Sequence, residues 1–264
     1  NSLGFGSYSV SVADANGCLI SNSMVLIQSD ALTSSFATSA WNGYEIQCFG
    51  GSNGEIDFTV NGGVVSSPYI YEINGINNSI NVYSNLNIGT YLVLATDANG
   101  CFISESVVLS EPATAVLSSY TQSDFNGYGV SCNGDSNGSI DLSVGGGVGL
   151  HNFSWTNGSS NEDLTGLSAG VYSVTATDEN GCTTTETVTV SEPTSLSSTS
   201  TQSNYNGYGI SCNGDTDGFI DLAVNGGVDN QSYTYSWSNG QTTEDINSLG
   251  FGSYSVSVAD ANGC

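Results

Sequence analysis

The segment NSLGFGSYSVSVADANGC at positions 1–18 recurs unchanged at 247–264, an offset of 246 residues or three times 82. Diverged copies stand between them, LNIGTYLVLATDANGC ending at Cys101 and LSAGVYSVTATDENGC ending at Cys182. One cysteine series therefore falls at 18, 101, 182 and 264, and a second at 48, 132 and 212. Two series sharing one period of about 82 residues define a tandem module, and a tandem chain builds one small core per repeat.

The module boundaries follow from proline. Ser110-Glu111-Pro112 and Ser191-Glu192-Pro193 close apolar stretches and precede Ser/Thr-rich ones, and proline ends ladder pairing there. The expected phasing is 1–29 as the C-terminal part of a preceding module, 30–112 as module 1, 113–193 as module 2, and 194–264 as module 3 without its final strand. On this reading the chain is an internal window on a longer array, and Leu19 to Gln28 resembles the strand that module 3 lacks.

Within each module the apolar residues alternate. Ile56, Phe58 and Val60 correspond to Ile140, Leu142 and Val144, and to Ile220, Leu222 and Val224. A second run is Tyr69, Tyr71 and Ile73, matched by Phe153 and Trp155, and by Tyr233, Tyr235 and Trp237. Each runs into Asn-Gly, at 74–75, 157–158 and 239–240, which favours a tight hairpin with positive φ. Helical periodicity is absent. Six or seven short strands with one apolar face predict an all-β chain of immunoglobulin-like β-sandwich modules arranged end to end.

Composition narrows the partners. The chain has 25 acidic residues and no Lys or Arg, a formal charge of −25. It cannot neutralise phosphate, so nucleic acid is excluded as a partner. Anionic membrane surfaces repel it, and there is no 18-residue apolar run for membrane insertion. Hydrophobic residues make up 38% and alternate with polar ones, which argues against disorder.

Seven cysteines in such a chain point to an oxidising, extracellular compartment. Zinc is disfavoured, because there is no CxxC and one histidine, His151. Two pairings fit the period. Within modules they are Cys48–Cys101, Cys132–Cys182 and Cys212–Cys264, with the partner of Cys18 lying upstream. Across the linkers they are Cys18–Cys48, Cys101–Cys132 and Cys182–Cys212. The within-module set is expected, because the other asks residues separated by a strand, a linker and a strand to approach within about 7 Å.

The combination Cys212-Asn-Gly-Asp-Thr-Asp-Gly-Phe-Ile-Asp-Leu, Gly226-Gly227, Tyr235-Ser-Trp237, Gly252-Ser-Tyr254 and Asp260-Ala-Asn-Gly-Cys264 resembles the SprB repeat. Module 1 departs from it, with Phe-Gly-Gly after Cys48 and Ile73 in place of the tryptophan. The resemblance implies an Ig-like fold in a large adhesin of the bacterial cell surface, exported by the type IX secretion system in Bacteroidota and used in gliding motility.

Three local patterns are candidate sites. Asn213, Asp215, Asp217 and Asp221, with Gly218, place oxygens as in the first part of a calcium loop. Asn133, Asp135, Asn137 and Asp141 repeat this with one charge fewer, and neither loop has the acid expected at position twelve. The competing reading is a turn built from Asp and Asn. Asp14, Asp97, Asp178 and Asp260, each in D-x-N-G-C, are ligands or turn formers on the same two readings. An aromatic–Asn–Gly–Tyr element recurs as Trp41 to Tyr44, Phe125 to Tyr128 and Tyr205 to Tyr208. It serves sugar stacking, a module–module contact, or packing on its own sandwich.

No catalytic constellation recurs, and no cofactor beyond calcium is suggested. N-x-S sequons occur at Asn77, Asn137, Asn152, Asn157 and Asn230, as chance gives in so Asn- and Ser-rich a chain. The expected function is a structural stalk or filament of an adhesin, whose partners are neighbouring modules, other copies of the filament, or surface polysaccharide. The alternative is that each module itself binds polysaccharide through its aromatic element.

Overall fold

The computed structural model describes residues 2–66, 68–228 and 232–264; Asn1 of the repeated segment and Asn230 of the last sequon lie outside them. Among the described residues there are twenty strands and no helix, so the chain is all-β. It divides into two compact units, Asn1–Ala115 and Val116–Cys264.

Unit 1 opens with a two-stranded antiparallel hairpin, β1 (Gly6–Ala13) and β2 (Leu19–Leu26). Its apolar side chains, among them Val12, Ile20 and Met24, are exposed. The rest of unit 1 is module 1: β3 (Asp30–Thr38), β4 (Gly54–Gly63), β5 (Ile70–Ile73), β6 (Ile76–Asn78), β7 (Val82–Leu86), β8 (Gly89–Thr96) and β9 (Phe102–Leu109). They form two sheets, β3-β4-β7 and β6-β5-β8-β9. Both feed one core, with Ile56 and Phe58 from the first and Val93, Val107 and Leu109 from the second.

Unit 2 contains modules 2 and 3. Module 2 has β10 (Leu117–Gln122), β11 (Gly138–Gly145), β12 (Asn152–Trp155), β13 (Leu164–Leu167), β14 (Gly170–Thr177) and β15 (Thr183–Val190), in sheets β10-β11-β13 and β12-β14-β15. Module 3 has β16 (Thr194–Gln202), β17 (Gly218–Gly227), β18 (Thr234–Trp237), β19 (Ile246–Leu249) and β20 (Val256–Ala259), in sheets β16-β17-β19 and β18-β20. Each has its own core, centred on Trp155 and on Trp237.

The sequence alternation becomes burial alternation: in β4, Ile56, Phe58 and Val60 are buried while Glu55 and Thr59 are exposed. Module 1 lacks the core tryptophan but carries Phe58 where modules 2 and 3 have Leu142 and Leu222. The exchange moves ring volume from one sheet to the other and keeps the core filled. Phe58 packs edge-on to Tyr71 at 6.4 Å. In modules 2 and 3 each indole N–H donates to a backbone carbonyl, Trp155 to Asn161 and Trp237 to Thr243.

The three Asn-Gly pairs behave differently. Asn74 and Gly75 both have positive φ, 48° and 80°, and join β5 to β6 as a tight hairpin. At 157–158 and 239–240 only the glycine has positive φ. There Asn157 and Asn239 accept hydrogen bonds from the amides of Ser159 and Gln241, closing Asx turns. The Trp155 amide donates to the Ser159 carbonyl and the Gly158 amide to the Trp155 carbonyl, and the amides of Trp237 and Gly240 donate likewise to the carbonyls of Gln241 and Trp237. The tight turn therefore closes before the chain crosses to the other sheet as β13 or β19.

Each module has a direction. In module 2 the D-x-N-G-C loop precedes β15, and Ser191 follows it. The Ser191 carbonyl accepts the amides of Gly129 and Val130, two residues short of Cys132. In module 1 the Ser110 carbonyl likewise accepts the amides of Glu45 and Ile46, near Cys48. The cysteine of D-x-N-G-C thus sits at the end where the chain enters, and the other cysteine where it leaves. Eight strand residues separate them, roughly 26 Å.

Candidate functional site

The D-x-N-G-C loop is built by its aspartate. Asp97, Asp178 and Asp260 are 4%, 3% and 4% exposed in a chain with no Lys or Arg, so backbone amides must satisfy them. In module 3, Asp260 Oδ1 accepts the amides of Asn262 and Cys264, both at 3.0 Å, and Oδ2 accepts that of Val228 at 2.9 Å. In module 2, Asp178 Oδ1 accepts from Asn180 and Cys182, and Oδ2 from Val148. In module 1, Asp97 Oδ1 accepts from Asn99 and Cys101, and Oδ2 from Val64. The Val64 amide foremost, with those of Cys101, Asn99 and Gly100, holds the Asp97 carboxyl below its usual value against the opposing effect of burial. Asp14 makes the same turn, accepting from Asn16 and Cys18.

A glycine at positive φ leaves room for the second carboxylate oxygen. A Cβ on Gly147 or Gly227 would lie 2.5 or 2.6 Å from Oδ2 of Asp178 or Asp260. The Gly-Gly step ending the first long strand is therefore required by the aspartate across from it. The tyrosine six residues before each aspartate anchors the strand that leads into the loop. Tyr91, Tyr172 and Tyr254 donate their hydroxyls to the carbonyls of Asn87, Ser168 and Gly250.

The leaving end carries the aromatic–Asn–Gly–Tyr hairpin and the second cysteine. Trp41 with Tyr44, Phe125 with Tyr128, and Tyr205 with Tyr208 exchange paired backbone hydrogen bonds. Asn42, Asn126 and Asn206 and the glycines after them all have positive φ, as a two-residue turn of this hand needs. The candidate calcium residues follow. Ser131 donates its amide to Asn137 Oδ1 and its hydroxyl to Asp135 Oδ2. Ser211 does the same to Asp217 and Asp215. The Ser211 hydrogen bonds hold the Asp217 carboxyl below its usual value. Asn133 donates to the Pro193 carbonyl, while Asp141 and Asp221 lie on strands β11 and β17. Asp135, Asn137, Asp215 and Asp217 close the turns around Ser131 and Ser211, and among the described residues no three His, Cys, Asp or Glu side chains converge as a metal site.

The linker is fastened to the same loop. Glu111 Oε2 accepts the Gly50 amide at 2.7 Å, and Glu192 Oε2 accepts that of Gly134 at 2.7 Å. The Glu of each Ser-Glu-Pro motif thus ties the departing chain to the loop beside the second cysteine.

In unit 2 the two kinds of loop meet. Cys132 of module 2 and Cys264 of module 3 form a disulfide with a Cα–Cα distance of 5.7 Å and a sequence separation of 132. Asn262 Nδ2 donates to the carbonyls of Ser131 at 2.8 Å and Phe125 at 3.2 Å. Asn126 Nδ2 donates to Asn262 Oδ1 at 2.6 Å. The D-x-N-G-C loop is a plug, and the aromatic hairpin with its cysteine loop is the socket.

This corrects the expected pairing. Cys132–Cys182 and Cys212–Cys264 are not formed, because Cys132 and Cys264 bond to each other. Cys48–Cys101 is not formed either: Cys18, Cys101 and Cys212 are exposed free thiols among the described residues. Cys48 and Cys182 are both disulfide-bonded. The reason is the direction of the module. Its two cysteines stand at opposite ends of an eight-residue strand, far beyond the roughly 7 Å that a disulfide spans. The linker-crossing set is excluded by the same free thiols.

Residues 45–78, 130–160 and 210–242 each match the SprB repeat family. No curated protein matches the chain.

Proposed function

We propose that this chain, a tandem of SprB repeats, is a load-bearing stalk segment of a secreted cell-surface adhesin, with no catalytic role. The observation that carries the reading is the Cys132–Cys264 disulfide, which joins two modules with separate cores. A covalent bond between neighbouring folds serves a chain that is pulled, and its persistence requires an oxidising exterior. The polar contacts of Asn262 then fix how the joined loops meet. The resemblance to gliding adhesins supplies the finer setting, export by the type IX system and movement along a bacterial surface.

Glycan binding by the aromatic element is the competing role. The stalk reading is favoured because the Phe125 hairpin gives its carbonyl and its neighbour's amide to the junction. Antibody raised against the chain should label intact, unpermeabilised cells. Labelling that appears only after lysis would reject the surface assignment. A glycan array bound by the chain and lost on Tyr208→Ala would reject the passive stalk in favour of a lectin.

A further inference from the structure

Module 3 repeats the socket of module 2 residue by residue. Tyr205 stands for Phe125, Asn206 for Asn126 with the same φ of 53°, Ser211 for Ser131, and Cys212 for Cys132. The supporting bonds repeat as well. The amide of Asp135 donates to the Cys132 carbonyl and that of Asp215 to the Cys212 carbonyl, both at 3.1 Å. Gly127 and Gly207 donate to Asp124 and Asn204, both at 2.6 Å. One socket holds an Asp-x-Asn-Gly-Cys loop by a disulfide and three hydrogen bonds. The other presents a free thiol, and Cys212 and Tyr208 are exposed.

The plugs repeat too. Asp97 and Asp260 shape their loops with the same set of amide bonds, yet Cys264 is bonded and Cys101 is an exposed free thiol. From the matching sockets and plugs we infer that the Tyr205–Cys212 face is an open docking site for the Asp-x-Asn-Gly-Cys loop of a further module of this kind. That loop places its asparagine amide on the carbonyls of Tyr205 and Ser211, and its cysteine bonds to Cys212. Cys101 and Cys18 are the complementary halves, each belonging in the socket of a module placed before its own. A junction of this kind is then polar in one sense, socket first and plug second, as at Cys132 and Cys264.

Closing the bond takes two thiols to one disulfide. The two electrons and two protons pass to a small disulfide oxidant, which leaves as two thiols. The inference rests on the junction geometry and not on the surface role, so the fate of the antibody experiment leaves it untouched.

The test is a longer chain. Residues 1–18 duplicate 247–264, so joining a second copy of residues 19–112 after Cys264 continues the pattern in register. This chain is oxidised with glutathione disulfide, digested with pepsin without reduction, and analysed by mass spectrometry. The expected product links Cys212 to the second copy of Cys101, while Cys18 and the first Cys101 remain alkylatable. Cys212 that stays alkylatable, or that links to another cysteine, overturns the inference. Docking raises the effective concentration of the two thiols, so the link should form about tenfold or more faster in native buffer than in guanidinium. Equal rates would show chance collision and overturn it as well. Asn99→Ala in the appended copy should slow closure without changing the melting of the other modules.

Discussion

Pulled by its two ends, the oxidised chain carries load from Cys132 directly to Cys264, and the chain between them is bypassed. Serine at Cys48 and Cys182 removes the other bonded cysteines and leaves this bond alone. The bypassed stretch has a sequence separation of 132, and extended chain spans at most about 3.5 Å per residue, giving about 460 Å of hidden length. Single-molecule force spectroscopy, with handles at both termini, reads this as contour length. With reductant the fully stretched chain should be about 460 Å longer than without it. A bond between Cys212 and Cys264 would hide only about 180 Å. A difference near that value, or no difference, would refute the junction. The same bond should also matter at equilibrium. Closing a loop of this length contributes about 5 kcal/mol in the chain-entropy model, so reduction should lower the melting temperature of unit 2.

Gly227→Ala forces a Cβ to 2.6 Å from Asp260 Oδ2 at a φ of 70°, and should cost about 2 kcal/mol or more in thermal unfolding of module 3. Asp178→Asn turns a donor toward the Val148 amide or toward those of Asn180 and Cys182. The loss of a buried acceptor should cost roughly 1–3 kcal/mol in denaturant titration. Acid should destabilise unit 1 through Asp97 and Glu45, the latter held low chiefly by the Ser110 hydroxyl. A carboxyl with a depressed folded pKa contributes its full stability above its unfolded value, about 4, and loses it as pH falls through the folded one. The denaturation midpoint should therefore fall below about pH 4, and Asp97→Asn should flatten that limb; an unchanged limb counts against Asp97. Calcium and chelator should leave the melting temperature of unit 2 equal, because Asp215 and Asp217 are engaged by Ser211; a rise with calcium would favour the calcium reading.

Strand positions and core residues were legible because alternation such as Ile140, Leu142 and Val144 has one physical meaning, an apolar face. The match to the SprB repeat over 45–78, 130–160 and 210–242 was legible from the spacing of glycines, tryptophan and cysteine. The disulfide pairing was not, since periodicity shows that cysteines repeat and leaves open which repeat each one faces. The signal that could have found it is the strand ending at Val190. Cys182 precedes it and the Ser-Glu-Pro motif follows it, which sets that cysteine at one end of the module. What remained hidden was the backbone bond from Val130 to Ser191, which brings Cys132 to the opposite end. The Asn-Gly pairs gave the tight turns and left the partner of the next strand open for a related reason. The dipeptide specifies a turn, and the pairing of the next strand is decided by tertiary packing, as β13 and β19 show.

The length of the Cys132–Cys264 span also sets an order in time. The core of module 2 closes with Val188 and Val190, so this module can finish folding before most of module 3 has been synthesised. Its staple must wait for Cys264. Between those moments Cys132 is a reactive thiol on a completed fold, and the next Asp-x-Asn-Gly-Cys loop to take shape is its natural acceptor. Oxidation that arrives early, before that loop exists, would trap Cys132 with whichever thiol is nearest. Assembly therefore favours a chain kept reduced until it is fully delivered, then oxidised as a whole.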